Sequence, residues 1–389
     1  MTVLRKRVLF VDDDPEILAG LRNLLYKERK LWDMVFADSG DAALTQLSGQ
    51  PFDVVVSDMR MPGMDGATLL SRVKDKFPST ARIMLSGHAE REAIVRALPA
   101  LHQLLSKPCD ATTLRTAIER GFDHAVATRD ARVRDVIGRI DNLPTPPDLF
   151  FELTRAMTSH TTTLDDVAKI VLRDPALSAK LLQLVNSAYF GSGQKTSSIQ
   201  HAISLLGTER LRYISLTASV FSAVKVDPFP ELTVRDLQIS SARTATITRA
   251  LLANQPGRDE AFAAALLHDV GHVVLITGMT EAYRPVVQRW AADHEAMTVV
   301  ENDLIGVTHA EVGACLLGLW GLPTPIIEIV RHHHDPGSAP EALRLSAAVV
   351  HVADVLAHPD AEDRLDLASL ERAGVIDKLP QWRDIARSA

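Results

Sequence analysis

The stretch "LLHDVGH" at residues 266–272 sets an imidazole beside a carboxylate and a second imidazole four residues later. On a helix that spacing presents His268 and His272 on one face, with Asp269 next to them. His309, His333, His334 and Asp354 supply further nitrogen and oxygen donors of the same kind. Imidazoles mixed with carboxylates suit manganese, iron, zinc or nickel, so a transition-metal centre is one reading of this set. The other is structural: single histidines on helices commonly serve as hydrogen-bonded core or surface residues.

A second group is purely carboxylate. Asp12 and Asp13 follow the apolar run "VLFV", and Asp58 ends "DVVVSD". In open α/β sheets, ligands bind outside the carboxyl ends of the strands, where these three side chains would share a crevice. Like charges about 4 Å apart repel by roughly 4 kcal/mol at an effective dielectric near 20. Such a cluster calls for a hard divalent cation, and magnesium is the natural choice. Helix capping and turn closure are the plainer roles for the same residues.

The elements that must position these groups are legible as patterns. "RVLFV", "DVVVS" and "RIMLS" are short β-rich apolar runs separated by helical periodicity, as expected of a parallel sheet covered on both faces. Asp14 is set to cap a helix opened by Pro15, with Ile17, Leu18, Leu21, Leu24 and Leu25 at helical spacing. The last such helix carries Leu114, Ala117, Ile118 and Phe122 on one stripe and is expected to run on as one long helix to Gly138. Arg129, Arg132, Arg134 and Arg139 alternate there with Asp130 and Asp135, the pattern of a solvated face. "LPTPP" at 143–147 stops it.

Beyond residue 140 strand signals vanish. Thr163 with Asp166 reads as a capping box, Asp174 with Pro175 as a helix start, and Thr308 with Glu311 as a second capping box. The chain has 389 residues, enough for two to three domains. Its net charge of −7, without a Lys/Arg block, argues against nucleic-acid binding. Cys109 and Cys315 are too far apart for a disulfide framework or zinc ribbon. No uninterrupted apolar run approaches the ~18 residues that span a bilayer, and the expected location is cytoplasmic.

In order, "VDDDPEIL", "DVVVSDMRMPGMDG", "IMLSGH" and "LLSKP" each follow a predicted strand. Together they resemble the response-regulator receiver family over about residues 5–125. The resemblance implies a flavodoxin-like α/β domain with a five-stranded parallel sheet, in which Asp58 accepts a phosphoryl group from a sensor histidine kinase. It further implies that Asp12, Asp13 and Asp58 hold Mg2+, that Lys107 and Ser86 stabilise the phosphoryl group, and that Pro108 follows a cis peptide bond. Leu104 stands where the family usually has an aromatic residue.

"LPTPPDLFFEL", "DPALSAKLLQLVNSAYFG", "SIQHAISLLG", "AALLHDVGH" and "RHHHDP" then resemble the HDOD output domain, a relative of the HD phosphohydrolases, over about residues 135–358. The implied organisation is a receiver at 1–125, a helical linker at 126–142, an all-α HDOD domain at 143–358, and one further helix or tail at 359–389. Measured against the HD-GYP phosphodiesterases, the chain keeps the His268–Asp269 pair, His309, a His pair within 332–334, and Asp354. The first family histidine falls at about Ser240, His272 replaces a lysine, and "HHDPGSAP" lacks the Gly-Tyr-Pro motif. The resemblance implies a signalling module that binds a downstream protein, with homodimerisation open. The alternative is a metal-dependent phosphohydrolase acting on a cyclic dinucleotide.

Overall fold

A computed structural model of the chain describes residues 6–86, 97, 100–127, 131–140, 156, 162–186, 196–205, 228–253, 255–293, 295–358 and 365–388. The chain divides into two compact units, one built on residues 1–141 and the other on 142–186, 194–318 and 322–389. The "LPTPP" boundary and the "SAYFG" segment lie outside the described residues.

In the first unit, β1 (Lys6–Val11), β2 (Trp32–Ala37), β3 (Val54–Asp58), β4 (Ala81–Ser86) and β5 (Gln103–Ser106) form one parallel sheet in the order β2-β1-β3-β4-β5. Helices cover it on both sides, so the strands are continuous apolar runs: Val8, Leu9, Phe10, Val54, Val55, Ile83 and Met84 are all buried. The register pairs Val11 with Ser57, Asp58 with Leu85, and Ser86 with Ser106. Asp12, Asp58, Ser86 and Lys107 therefore arrive at one edge of the sheet from four adjacent strands. That edge lies at the switch point where strand order reverses. As the sequence predicts, the helix Pro15–Leu24 opens with Asp14, whose side chain accepts the Glu16 N–H at 2.8 Å.

The expected long helix after β5 is described as two, Ala111–Ala127 and Ala131–Arg139, with 128–130 outside the described residues. The second is tied into the first unit by Arg82, a wholly buried guanidinium at the start of β4. Arg82 donates to the carbonyls of Ala100, Pro78 and Thr80, and to that of Gly138 at 2.6 Å. A Cβ at Gly138 would overlap the Pro78 carbonyl, so only glycine allows this approach.

The second unit is helical throughout its described residues. The helix Val234–Leu251 packs against Arg258–Leu267, Arg344–Ala357 and Leu379–Ser388, and Arg258–Leu267 packs against Thr324–Arg331. Both predicted capping boxes form: Asp166 N–H donates to Thr163 Oγ1 at 3.2 Å, and Glu311 N–H to Thr308 Oγ1 at 3.2 Å, with each acid reaching back to the cap amide. Pro175 begins a helix as expected, but the Asp174 carboxylate is buried and takes Gln238 Nε2 at 3.3 Å. The stretch Arg258–Gly278 is long and apolar enough to cross a membrane by composition, yet 78% of its most apolar window is buried inside the protein. At the C-terminus, the single helix or tail is instead two helices, Leu367–Arg372 and Leu379–Ser388. They are separated at Gly374, whose φ of 73° interrupts a helix, and they bury Leu370 and Trp382.

Candidate functional site

At the sheet edge, the Lys107 ammonium sits between two carboxylates: it contacts Asp12 Oδ2 at 2.7 Å and also pairs with Asp58 Oδ1. Asp58 Oδ2 accepts the Arg60 N–H at 2.6 Å, and Asp12 Oδ1 accepts the Asp14 N–H at 3.0 Å. The Ser86 carbonyl accepts the Lys107 N–H at 2.9 Å, which joins the ends of β4 and β5, and Lys107–Pro108 is cis. Asp12 and Asp58 are buried, while Asp13 is exposed one residue along. Of the three carboxylates expected in one crevice, two are thus brought together around a lysine and the third stands at the rim. Burial raises the Asp58 carboxyl above its ordinary value, and Lys107 offsets only part of this. Burial pulls Lys107 the other way, but the bonds to Asp12 and Asp58 prevail and hold it above the ordinary value. The all-oxygen donor set of Asp12, Asp13 and Asp58 fits a hard cation such as Mg2+.

The second unit gathers all seven His/Asp residues of the sequence-predicted set. His268 and Asp269 lie where the helix Arg258–Leu267 ends and Val270–Gly278 begins, and His272 lies one turn further. His309 opens the helix His309–Leu319, His333 and His334 follow Thr324–Arg331, and Asp354 belongs to Arg344–Ala357. His268 Nε2 lies 3.2 Å from Asp269 Oδ2 and 3.2 Å from Asp354 Oδ1. Asp269 Oδ1 lies 3.9 Å from His272 Nε2 and 3.7 Å from His309 Nε2. His309 and His334 meet Nε2 to Nε2 at 2.9 Å, and the rings of His272 and His309 stack with centroids 3.7 Å apart.

Glycine makes this convergence reachable. A Cβ at Gly271 would overlap the His309 carbonyl, and one at Gly313 would press on Val270 and the Gly271 N–H. The two helices that carry His272 and His309 therefore cross with their backbones nearly touching.

The outward ring nitrogens are fixed by acceptors. His268 Nδ1 faces the Ala265 carbonyl and His333 Nδ1 the Val330 carbonyl, each at 2.7 Å. His309 Nδ1 faces Glu301 Oε2 at 2.8 Å. A carbonyl can only accept, so Nδ1 of His268 and His333 carries a proton, and in its neutral form each ring turns a bare Nε2 inward. His272 follows by relay: the Tyr283 hydroxyl donates to Glu301 Oε1 at 2.6 Å and so accepts from His272 Nδ1 at 2.7 Å. Glu301 and Tyr283, both fully buried, orient two imidazoles and were invisible in the sequence. Glu301 falls on an ordinary amphipathic helix, Met297–Ile305, and only packing reveals where it points.

The buried His333 Nε2 has no hydrogen-bond partner among the described residues. His268 Nε2, when protonated, can donate to two carboxylates, and His309 Nε2 pairs with His334 Nε2. Burial alone would strip the proton from His268, yet Asp269 and Asp354 outweigh it and hold the ring well above its ordinary pKa. Burial and the neighbouring imidazoles push His272 down to about 4 and His333 and His334 well below the ordinary value. Donor atoms of three overlapping trios lie within 4.8 Å of one another: His309, His333 and His334; His268, Asp269 and His333; Asp269, His272 and His309. Asp269 belongs to two of them and turns one oxygen to each. Once their inward nitrogens have given up their protons, imidazoles around a shared carboxylate are a donor set that fits transition-metal ions.

A family model of the response regulator receiver domain matches residues 8–119, and a model of the HDOD domain matches residues 143–336. The chain is a receiver domain joined to an HDOD domain. An uncharacterized protein of Treponema pallidum is 29% identical over 255 residues, covering 63% of this chain and 48% of that protein. The transcriptional regulatory protein GlrR of Escherichia coli is 32% identical over 131 residues, 33% of this chain and 29% of that protein. The chain thus spans about half or less of these curated relatives. Among solved structures, a virulence factor from Campylobacter jejuni is 22% identical with a TM-score of 0.53, covering 66% of this chain and 96% of that one, a likeness of fold alone.

The HDOD match ends at residue 336, so Asp354 lies beyond it. Ser240, where the first histidine of the HD-GYP pattern is expected, instead sets its hydroxyl 3.2 Å from His358 Nε2.

Proposed function

We propose that this response regulator accepts a phosphoryl group on Asp58 from a sensor histidine kinase, and that its HDOD domain passes the change of state to a downstream protein. The observation carrying the first part is the Lys107 ammonium shared by Asp12 and Asp58. In the transfer, a carboxylate oxygen of Asp58 attacks phosphorus, the bond from phosphorus to the donor's nitrogen breaks, and the proton the donor needs comes from water. The acyl phosphate adds about −2 charge. Lys107 would turn towards it, and the Ser86 hydroxyl would donate to it. Mg2+, held by Asp12, Asp13 and Asp58, would supply further positive charge. Asp58→Asn should abolish labelling by acetyl phosphate in the presence of magnesium, and unchanged labelling would reject the site.

A second reading is favoured by the convergence of the seven His/Asp donors and by the buried, unpartnered His333 Nε2. In it the HDOD domain is a metal-dependent phosphohydrolase of a cyclic dinucleotide. His268, Asp269, His272, His309, His333, His334 and Asp354 would hold transition-metal ions, which when bound polarise a phosphoryl oxygen and lower the pKa of water. Against it stands Ser240 in place of the first histidine. Metal analysis of protein purified without chelators, followed by a cyclic di-GMP hydrolysis assay, decides between the two readings. Two bound ions with turnover establish the hydrolase, and bound metal without turnover leaves the interaction module.

A further inference from the structure

His333 and His334 sit in a short loop after the helix Thr324–Arg331, and a loop does not by itself hold two imidazoles to a fixed aim. Two lines of hydrogen bonds steady it, and both end in the segment Leu365–Arg372, beyond the HDOD match. In the first, the His333 carbonyl accepts from His351 Nδ1 at 2.9 Å, and His351 Nε2 accepts the Asp366 N–H at 3.2 Å. An amide can only donate, so His351 is neutral with its proton on Nδ1, and the relay has one direction. In the second, Asp335 Oδ1 accepts from Ser369 Oγ and from Arg372 Nη2, each at 2.8 Å. Ser369 Oγ in turn accepts the Gly337 N–H at 2.9 Å, and the Ser369 N–H is capped by Asp366 Oδ1 at 2.9 Å. Ser369 is wholly buried, and a Cβ at Gly337 would meet the Arg372 side chain at 2.8 Å, so the two segments are packed as well as bonded.

We propose that the C-terminal segment Leu365–Arg372 is a clamp on the histidine loop, with Ser369 and Arg372, and His351 as relay, acting as positioning residues for His333 and His334. As a statement about metal it rests on the metal-holding reading of the HDOD site; as a statement about the loop it does not. Groups that hold metal-ligating imidazoles by hydrogen bonds typically change metal affinity 10–100-fold when removed.

The test uses the full chain, with cobalt(II) followed by its visible absorption and amide hydrogen exchange read at residues 332–335. Ser369→Ala and Arg372→Ala should each weaken cobalt binding roughly 10–100-fold, alter the cobalt band, and speed exchange in the loop. Exchange in the helix Val234–Leu251 should not change. Because the Arg372 side chain is half exposed, its loss does not endanger folding. Asp335→Ala should behave like Ser369→Ala, while Asp335→Asn, which keeps an oxygen acceptor, should restore most of the affinity. Unchanged cobalt affinity in Ser369→Ala and Arg372→Ala overturns the positioning role, even if exchange is faster. Should the unaltered chain take up no cobalt, the metal reading fails and exchange alone decides: faster exchange supports the clamp, and unchanged exchange removes it.

Discussion

Asp58 must be ionised to act as a nucleophile, and its burial works against that. Burial raises the carboxyl above 3.8 in the metal-free protein, so titration of Asp58 without magnesium, followed by carboxyl NMR, should have its midpoint above that value. A midpoint at or below 3.8 would contradict the burial argument. The linkage has a definite sign: a group whose folded pKa is raised binds its proton more tightly when folded. Its stabilising contribution is present below about pH 4 and is lost as pH rises through the folded value. At pH 7 the charged Asp58 is therefore a cost, and Asp58→Asn should melt higher than the parent while losing all labelling. Cys109 is a further perturbed group of the receiver: burial and Asp110 push its thiol up to about 11. At pH 8 roughly one molecule in a thousand would carry the thiolate, against about one in four for an ordinary cysteine. Alkylation by iodoacetamide at pH 8 should be correspondingly slow, and rapid modification of Cys109 would show it to be open to water.

At the scale of elements, glycines set the site geometry. Gly66 donates its N–H to the Met59 carbonyl at 2.9 Å, and a Cβ there would overlap the Asp58 carbonyl. Gly271 has the same relation to the His309 carbonyl. Neither overlap involves a flexible side chain that could swing away, so overpacking of about 1–3 kcal/mol or more is expected for Gly66→Ala and Gly271→Ala. Gly66→Ala should depress labelling with little effect on cobalt uptake, and Gly271→Ala the reverse; urea unfolding with both assays checks the pair. Receiver geometry was legible in the sequence because each motif ends a strand, and parallel register carries strand ends to one edge. The HDOD site was legible only as a set of donors. Spacing related His268, Asp269 and His272, but nothing local told that His309 and Asp354, on two other helices, and His333, in a loop, meet them. Glu301, Tyr283 and the clamp around Ser369 act through packing, which leaves no periodic trace. Leu104 was legible as a departure: it is buried within β5, and no ring is present there to swing between pocket and solvent.

For the whole molecule, two compact units imply two separable stabilities. A metal at 100 times its dissociation constant should stabilise the helical unit by about 2.7 kcal/mol. Calorimetry in magnesium-free buffer, with and without a chelator, should then move one transition and leave the other in place; equal movement of both would show that the units do not unfold independently. The Arg82 contact bears on where the first unit ends. Its guanidinium lies in the interior with the Gly138 carbonyl as one acceptor. A receiver fragment cut at residue 125 would remove one of that cation's carbonyl acceptors, whereas one extending through residue 140 keeps it. For anyone expressing the phosphoacceptor half alone, the longer piece is the one that should stay monodisperse and resist proteases.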